Sequence, residues 1–238
     1  IVNPEDLNKF QGLLGDGSQW GISIQYQVQQ KAEGVAQAFL IGEEFIGQNP
    51  VALILGDNFF HAQGLTKILQ EANRNEKGAT LFAYPVKDPQ RFGIVNFNDN
   101  YDVLSFEEKP ENAKSKYAVT GLYFYDNQII KMSKGLNFSD RGELEITDIN
   151  NLYLRQNNIK VKILGRGTAW LDTGTPESLL EAGSFVKTLE DRQSLKIGCP
   201  EEAAWRMNWI DREELISLAK PLKNDYGKYL LELINENI

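Results

Sequence analysis

The spacing of hydrophobic and polar residues changes its period several times along the first ninety residues. Short apolar runs with strand-like spacing alternate with longer segments in which apolar residues recur at helical spacing. The predicted helices cover residues 4–14, 34–46 and 65–75, and the predicted strands cover residues 22–28, 51–55 and 79–86. Strands and helices that alternate in this way favour an α/β fold, with a mixed, mostly parallel sheet and helices on both faces.

After residue 90 the pattern becomes richer in strands. The stretch "GIVNFNDNYDVLSFEEK" predicts two strands around an Asn98-Asp99-Asn100 turn, which is typical of a hairpin. Further strands are predicted at residues 117–125 and 160–164, and helices at residues 127–136, 145–157, 212–219 and 227–235. We therefore expect a core at residues 1–198 and a C-terminal helical segment at residues 199–238.

The composition limits the classes of partner. The formal charge is −8 at neutral pH, so the chain is a poor general binder of nucleic acids and anionic membranes, which attract clustered cations. The single cysteine, Cys199, cannot form an internal disulfide, which fits a reducing cytoplasm. No apolar run is long enough to span a bilayer, and no signal peptide is recognisable. We therefore expect neither a nucleic-acid partner nor a membrane.

Two aspartates follow short apolar strands. Asp57 comes after "VALIL", and Asp172 ends "AWLD", each before a turn of small or polar residues. Ligands of open α/β sheets lie beyond the carboxyl ends of strands, and Mg²⁺ is usually held by one or two carboxylates together with water and substrate phosphates. The two aspartates could therefore share one magnesium ion. Equally, each could only cap a local turn, and the pattern alone does not separate these interpretations.

Three other polar segments are candidates for ligand binding. In "SFEEKP", Lys109 could hold a phosphate and Glu108 could accept hydrogen bonds from sugar hydroxyls. In "RGELEIT", Arg141 precedes a predicted helix and could contact a phosphate. In "VQQKAEGVAQAF", Gln29 could pair with a nucleobase edge and Gly34 would let backbone approach that base. A solvated charge run, a surface arginine and an ordinary polar loop are the respective alternatives.

Seven short motifs occur in one order along the chain: "QQKAEGVAQA", "LGDN", "FGIVNF", "FEEKP", "VTGLYFYD", "RGELEITD" and "WLDTGT". In this order they resemble those of the bacterial sugar-nucleotide pyrophosphorylases, and most closely the glucose-1-phosphate thymidylyltransferases. The resemblance covers essentially the whole chain. It implies a Rossmann-like nucleotide-diphospho-sugar transferase fold with a sugar-binding β region. It also implies the Mg²⁺-dependent formation of dTDP-glucose and pyrophosphate from dTTP and glucose 1-phosphate, the first step of dTDP-L-rhamnose synthesis.

The resemblance implies roles for individual residues. The expected metal ligands are Asp57 and Asp172, which form the expected catalytic set together with Lys109. The expected thymine contacts are Gln29 and Gly34. The expected residues of the sugar-phosphate pocket and its cleft are Gly93, Glu108, Lys109, Val119, Tyr123, Arg141 and Trp170. The family further implies a homotetramer with a feedback site for dTDP-rhamnose, and the residues that match this site are Lys196, Glu202 and Arg206.

The chain departs from the family at its start. The family's glycine-rich loop G-G-x-G-T-R-L and a later P-K or K-Q-L segment are absent, and the chain opens at "IVNPEDL". A strand, loop and helix of this kind need about fifty residues, so we expect residues upstream and expect the chain by itself to be inactive.

Three other functions stay open at this point. A glycosyltransferase of similar architecture is disfavoured, because many of these enzymes use Asp-x-Asp and this chain has Asp57-Asn58-Phe59. A non-catalytic sugar-nucleotide-binding subunit and a related pyrophosphorylase that uses UTP are the other two.

Overall fold

The computed structural model describes residues 1–235, which form two compact units. The first unit contains Gln29–Leu179 together with Ile1. The second contains Val2–Val28 together with the residues from Leu180 onward.

This division differs from the expected boundary between residues 198 and 199. The N-terminal segment shares a hydrophobic core with the C-terminal helices, and Trp20, which is 8% exposed, lies in one cluster with Leu215 and Leu230. Residues 236–238 of the predicted C-terminal segment lie outside the described residues. A separate regulatory function for residues 199–238 stays a prediction.

The first unit is built on a six-stranded mixed sheet and a separate two-stranded sheet. The strands are β1 (Val51–Ile54), β2 (Asn58–His61), β3 (Ala79–Pro85), β4 (Gly93–Phe97), β5 (Val103–Glu108), β6 (Tyr117–Tyr125), β7 (Ile159–Ile163) and β8 (Ala169–Asp172). The order in the large sheet is β5-β4-β6-β3-β7, with β1 also paired to β6. Strands β2 and β8 form the small sheet.

The prediction of an α/β fold with a mixed sheet is confirmed, but the expectation of mostly parallel pairing is wrong. Among the described strand pairs of the large sheet, β3–β7 alone is parallel, whereas β1–β6, β3–β6, β4–β5 and β4–β6 are antiparallel. Strands β1, β3 and β7 run in the same direction, and β6 lies between β1 and β3 and is antiparallel to both. The reason is that β6 enters the sheet after the β4–β5 hairpin, and not after the crossover helix that a parallel strand needs.

Helices cover both faces of the large sheet, as predicted. Alternate residues of β3 and β6 point to opposite faces. Leu81 and Tyr123 lie in one hydrophobic cluster with residues of the helices at Gln37–Ile41, Gln128–Lys134 and Ile146–Arg155, and Phe82 and Leu122 lie in another with Ala72. The α-helices of the described residues are α1 (Leu7–Leu14), α2 (Gln37–Ile41), α3 (Glu43–Ile46), α4 (Leu65–Asn73), α5 (Gln128–Lys134), α6 (Ile146–Arg155), α7 (Pro176–Gln193), α8 (Pro200–Arg206), α9 (Arg212–Ala219) and α10 (Asp225–Leu233). None of these helices is long and apolar enough to cross a membrane.

Two predicted elements of the N-terminal region are wrong. Residues 22–28 do not form a strand, and only Val28 makes an isolated bridge, to Val2. The alternation there is one of burial without strand pairing, because Ile24, Tyr26 and Val28 are half-buried and the glutamines between them are exposed. The helix predicted over residues 34–46 is divided into α2 and α3 at Gly42. The short strand β2 was not predicted.

In the second unit, a capping box fixes the start of α9. The Asp211 carboxylate accepts a hydrogen bond from the Glu214 backbone N–H at 2.9 Å, and the Glu214 carboxylate accepts one from the Asp211 N–H at 2.7 Å. Both N–H groups would otherwise lack a partner within the helix. Helix α9 carries Leu215 and Ala219 into the core of this unit, so the cap sets where that core begins.

We expect Asp211→Ala to lower the free energy of unfolding by about 1 kcal/mol, because an N-cap acceptor is lost. Asp211→Asn keeps an accepting oxygen and should stay close to the parent. Urea denaturation followed by far-UV circular dichroism measures both. Equal stability of Asp211→Ala and the parent would contradict a structural role for this cap.

Candidate active site

Two adjoining cavities open in the first unit. The first has a volume of about 190 Å³ and the second about 420 Å³. They share the lining residues Val35, Leu55 and Glu143. A ligand with two parts could therefore extend from one cavity into the other.

Most residues singled out in the sequence line one of these cavities. The second cavity is lined by Gln29 and Gly34. The first is lined by Gly93, Glu108, Lys109, Val119, Tyr123, Trp170 and Asp172. Asp57 lies between Gly56, which lines the second cavity, and Asn58, which lines the first. The structure thus brings together, at two neighbouring cavities, residues up to 143 positions apart in the chain.

The two aspartates approach each other because β2 and β8 pair. Asn58 is the register partner of Asp172 in this antiparallel ladder. The carbonyl oxygen of Asp57 accepts hydrogen bonds from the backbone N–H and the hydroxyl of Thr173, at 2.8 and 2.9 Å. A Cβ built on Gly174 would lie 3.0 Å from Asp172 Oδ1 and 3.6 Å from Asp57 Oδ2. Both carboxylates therefore border the same small space.

This space suits a hard divalent cation. Carboxylate oxygens are the donors that Mg²⁺ prefers. Within residues 1–235, no group of three or more His, Cys, Asp or Glu side chains is arranged to hold a metal ion, so two carboxylates are what the chain offers here. That number fits Mg²⁺, which takes the rest of its ligands from water and substrate phosphates.

Asn58 connects the aspartates to the rest of the first cavity. Its Oδ1 accepts hydrogen bonds from the Gly121 backbone N–H at 2.9 Å and from Trp170 Nε1 at 2.6 Å. Its Nδ2 donates to Asp57 Oδ1 at 2.9 Å. Asp57 Oδ2 is left pointing to the space shared with Asp172. The amide therefore fixes which oxygen of Asp57 a ligand meets.

Trp170 forms an aromatic wall of the first cavity. It is 7% exposed, and its ring packs against Phe92 and Tyr84 with centroid distances of 5.3 and 5.8 Å. Tyr123 lies nearby, and burial, followed by the Glu108 and Asp57 carboxylates, raises the pKa of its phenol far above the usual value. Tyr123 therefore remains protonated and can donate a hydrogen bond to a ligand.

Three glutamates surround one arginine beside the first cavity. Arg141 Nη1 lies 3.2 Å from Glu108 Oε1 and 3.4 Å from Glu145 Oε1, and Nη2 lies 2.8 Å from Glu143 Oε1. Burial alone would lower the pKa of Arg141, but the carboxylates of Glu145, Glu143 and Glu108 outweigh it and raise that pKa. The guanidinium thus stays charged and holds all three carboxylates in place.

Glu108 is fixed from a second side. Its Oε2 accepts a hydrogen bond of 2.5 Å from the Thr147 hydroxyl. Gly93, its register partner in β4, leaves room for this pair, because a Cβ there would lie 3.1 Å from both Glu108 Oε2 and Thr147 Oγ1. A carboxylate held by an arginine and a hydroxyl is well placed to accept hydrogen bonds from sugar hydroxyls.

Lys109 has an uncommon backbone conformation. Its φ of +40° lies in the left-handed region, which residues other than glycine rarely adopt. The Lys109 N–H donates to the Phe92 carbonyl at 3.1 Å, which anchors this conformation. Within residues 1–235, its ammonium group makes neither an ion pair nor a hydrogen bond. Strain of this kind is typical of ligand-binding positions.

The second cavity contains an oriented glutamine. Gln29 Nε2 donates to Gln37 Oε1 at 2.5 Å, and Gln37 Nε2 donates to Glu33 Oε2 at 2.7 Å. Gly34 has a φ of +101°, and a Cβ there would lie 2.4 Å from the carbonyl oxygen of Leu144. The close approach that Gly34 permits in this structure is therefore to the Leu144 backbone. A contact of Gln29 or Gly34 with a base stays a prediction.

The residues expected to bind a feedback ligand lie in the second unit. Glu202 Oε1 accepts from Arg206 Nε, and its Oε2 accepts from the Tyr229 hydroxyl, both at 2.6 Å. Lys196 pairs instead with Glu190 at 2.7 Å. The structure thus brings Glu202 and Arg206 together, and Lys196 has a different carboxylate as its partner. A feedback function for these residues stays a prediction.

Several polar or charged residues of the first cavity were not assigned from the sequence, among them Arg91, Asn58, Glu145 and Thr147. Asn58 directly follows Asp57 in "LGDN", and Glu145 and Thr147 belong to the same "RGELEIT" segment as Arg141. Their positions within these motifs are a signal that they belong to the site. Their contacts could not be predicted, because they depend on residues far away in the chain.

Comparisons with known proteins identify the family of the chain. A model of the nucleotidyl transferase family matches residues 1–188. A glucose-1-phosphate thymidylyltransferase of Neisseria meningitidis is 55% identical over 99% of this chain and 82% of its own length. One from Mycobacterium tuberculosis is 51% identical over 100% of this chain and 82% of its own length.

Solved structures show the same relationship. A Bacillus anthracis protein assigned as a glucose-1-phosphate thymidylyltransferase, crystallised with sucrose, is 36% identical and superposes with a TM-score of 0.72, covering 84% of this chain and 78% of its own. A UDP-glucose pyrophosphorylase in complex with UDP-glucose has a TM-score of 0.61 at 23% identity, which shows a common fold. The family expected from the seven motifs is confirmed, and the chain belongs to the glucose-1-phosphate thymidylyltransferase family of nucleotidyl transferases.

Proposed function

We propose that the protein transfers a thymidylyl group from dTTP to the phosphate of glucose 1-phosphate, forming dTDP-glucose and pyrophosphate. The observation that carries this proposal is the position of Asp57 and Asp172 beside two adjoining cavities, one with an oriented glutamine and one with a held glutamate and a free lysine. The family of the chain supports the same reaction. Incubation of the full-length protein with dTTP, glucose 1-phosphate and Mg²⁺ should yield dTDP-glucose, and EDTA should abolish its formation.

The proposed reaction requires that the two substrates be positioned and that the negative charge of their phosphates be neutralised. A phosphate oxygen of glucose 1-phosphate, already anionic near neutral pH, attacks the α-phosphorus of dTTP, and pyrophosphate leaves with the electrons of the broken bond. No general base is needed, so the barrier arises from aligning two polyanions. A divalent cation held by Asp57 and Asp172 would neutralise charge on phosphate oxygens at the point of transfer.

The chain's own side chains would hold the two substrates on either side of these aspartates. In the first cavity, Lys109 would contact the sugar phosphate and Glu108 the sugar hydroxyls. Trp170 and Tyr123 would cover the sugar ring and exclude water. In the second cavity, Gln29 would bind the base through the amide atoms that Gln37 leaves free.

Further parts of the proposal concern specificity and control. They are a preference for dTTP over UTP, a place at the start of dTDP-L-rhamnose synthesis, a cytoplasmic homotetramer, and feedback by dTDP-rhamnose at Lys196, Glu202 and Arg206. The ion pair between Glu202 and Arg206 supports the proposed feedback site, because it gives this surface two ordered charged groups. A non-catalytic sugar-nucleotide-binding subunit is the alternative, and the product assay separates the two.

We expect Asp57→Asn and Asp172→Asn each to remove most of the turnover, because either change weakens the shared cation site. The double variant should be little worse than either single one, since groups that act as a unit are not additive. Turnover as a function of Mg²⁺ concentration, with melting curves of all three variants, provides the measurement.

The turn-cap interpretation predicts the opposite result. Loss of a cap costs about 0.5–2 kcal/mol of stability and spares the chemistry. Variants that melt at a lower temperature but retain near-parental turnover would show that these aspartates are structural.

For Lys109, we expect the substitution Lys109→Met to act mainly on glucose 1-phosphate. Methionine keeps the approximate length of the side chain and removes its charge. A charge-assisted hydrogen bond contributes about 1.5–3 kcal/mol, so the KM for glucose 1-phosphate should rise by at least tenfold while the KM for dTTP changes little. Equal increases in both KM values would argue against a specific phosphate contact.

The role of Asn58 can be tested through Gly121. A Cβ at residue 121 would lie 2.6 Å from Asn58 Oδ1, so Gly121→Ala should displace the amide that orients Asp57. We expect lower turnover, a higher Mg²⁺ requirement and an altered total tryptophan emission, to which Trp170 contributes as one of four tryptophans. Gly135→Ala is the matched control, because its Cβ would meet no atom closer than 3.5 Å. Parental fluorescence and turnover in Gly121→Ala would contradict this role.

A further inference from the structure

A further cavity of the first unit, with a volume of about 600 Å³, lies beside the turn of the β4–β5 hairpin and the start of β6. Its lining residues come from two segments, 96–104 and 114–117. None of them lines the first or the second cavity, and none has a part in the proposed reaction. We call this cavity the hairpin cleft. Its size is that of a pocket for a small molecule.

Three aromatic rings form one wall of the hairpin cleft. The Phe97 ring lies between those of Tyr101 and Tyr117, with centroid distances of 6.1 and 5.6 Å. Phe97 and Tyr117 are half-buried and pack against the core of the first unit. Tyr101, in contrast, is 63% exposed. An exposed ring beside two anchored ones offers a flat surface on which another planar ring can stack.

The hairpin turn holds Tyr101 in position. The φ of this residue is +64°, in the left-handed region that bulky residues rarely adopt. Asn98 fixes the turn, because its carbonyl oxygen accepts from the Tyr101 N–H at 3.0 Å, and its Oδ1 accepts from the N–H groups of Asn100 and Asp102, both at 2.9 Å. The backbone that carries the ring is therefore ordered before a ligand binds, which lowers the entropic cost of binding.

The charged residues of the hairpin cleft favour an anion. They are Lys114, Lys116 and Asp99, so the cleft has one net positive charge in a chain whose formal charge is −8. Lys116 Nζ lies 6.0 Å from the centroid of the Tyr117 ring, and within residues 1–235 it makes no ion pair. Lys114 Nζ lies 3.8 Å from Glu107 Oε1 with its side chain 80% exposed, and an exposed pair of this kind is weak.

A buried amide with an unused acceptor also lines the hairpin cleft. Asn96 is 6% exposed, and its Nδ2 donates to Ser105 Oγ at 3.0 Å and to Glu107 Oε1 at 2.8 Å. Within the described part of the chain, its Oδ1 has no hydrogen-bond partner. Because buried polar atoms are nearly always paired, an unused acceptor in the wall of a cleft indicates a ligand with a donor group.

We propose that the hairpin cleft binds a free nucleotide, with the base stacked on Tyr101 and the phosphate held by Lys114 and Lys116. A nucleotide combines a planar ring that bears donor groups with an anionic group. A neutral ring would leave the lysines unused, and an inorganic anion would leave the aromatic wall unused. Stacking on an aromatic side chain tolerates every base, so the cleft accepts purine as well as pyrimidine nucleotides.

The test is titration of the full-length protein with AMP, followed by saturation-transfer difference NMR. Tyr101→Ala and Lys116→Gln should each raise the dissociation constant for AMP at least about fivefold, since stacking or a charged contact is lost. Tyr101→Phe keeps the ring and should stay within about twofold of the parent. Lys67→Gln is the matched control, because this exposed lysine of α4 lines none of the three cavities.

Two fragments of AMP separate the contributions of the ring and the charge. Adenosine can only stack, and inorganic phosphate can only pair with the lysines, so each should bind more weakly than AMP. Phosphate that binds as well as AMP, together with parental AMP binding by Tyr101→Ala, would show an anion site only and would overturn the proposal.

A variant of the second cavity shows where AMP binds. Gln29→Leu should leave AMP binding unchanged, because Gln29 does not line the hairpin cleft. Loss of AMP binding in Gln29→Leu but not in Tyr101→Ala would place AMP in the second cavity and overturn the proposal, as would a parent protein that does not bind AMP. Melting curves verify that each variant is folded. Tyr101→Ala should form dTDP-glucose at the parental rate, so failure of this inference leaves the proposed function intact.

Discussion

The candidate active site depends on the side-chain amide of Asn58. This amide accepts hydrogen bonds from the β6 backbone and the Trp170 indole, and it donates one to Asp57. An amide is suited to this position because it offers an acceptor and a donor at the same time. An aspartate would have no proton to donate to Asp57, and a leucine would leave the Trp170 and Gly121 N–H groups without their partner. The large sheet, the small sheet and the aspartate pair are joined at this one group.

Around the first cavity, three glutamates and Arg141 form one ion-paired group, and two further bases lie outside it. Arg141 and Thr147 restrain Glu108, so the cost of ordering this carboxylate is met when the protein folds and not when a sugar arrives. Burial raises the pKa of Glu145, an effect that the Ser139 hydroxyl opposes through its hydrogen bond to that carboxylate. Within residues 1–235, Lys109 and Arg91 have no charged partner. Under the proposed function, a neutral sugar ring and an anionic phosphate would be bound by different parts of one small cavity.

The sequence predicted much of the fold because its signals are local. The apolar runs of β1, β3 and β6 and the Asn98-Asp99-Asn100 hairpin turn depend on residues close together in the chain. The antiparallel position of β6 and the packing of residues 2–28 with the C-terminal helices were not predictable, because they depend on long-range contacts that leave no period in the sequence. Residues 22–28 show the converse, since half-buried and exposed side chains alternate there without the ladder of a strand.

The sequence motifs indicated segments that line the two cavities. They did not indicate which residue within each segment pairs with which. Arg141 and Lys109 looked alike as phosphate-binding cations. The structure gives them different surroundings, because three glutamates pair with Arg141 and none of these pairs with Lys109. Such a difference depends on side chains from β5, from the loop before α6 and from α6 itself, whose mutual positions no short motif specifies.

The pairing of β2 with β8 has a consequence for the dynamics of the site. A two-stranded ladder of four residue pairs is only marginally stable by itself, and here it joins two aspartates that are 115 positions apart in the chain. A ligand that binds both aspartates binds only the closed ladder, so by mass action it must suppress local opening. The backbone amides of this ladder would then exchange with solvent deuterium more slowly as the site fills. Occupancy of the site and order of the small sheet are two aspects of one equilibrium.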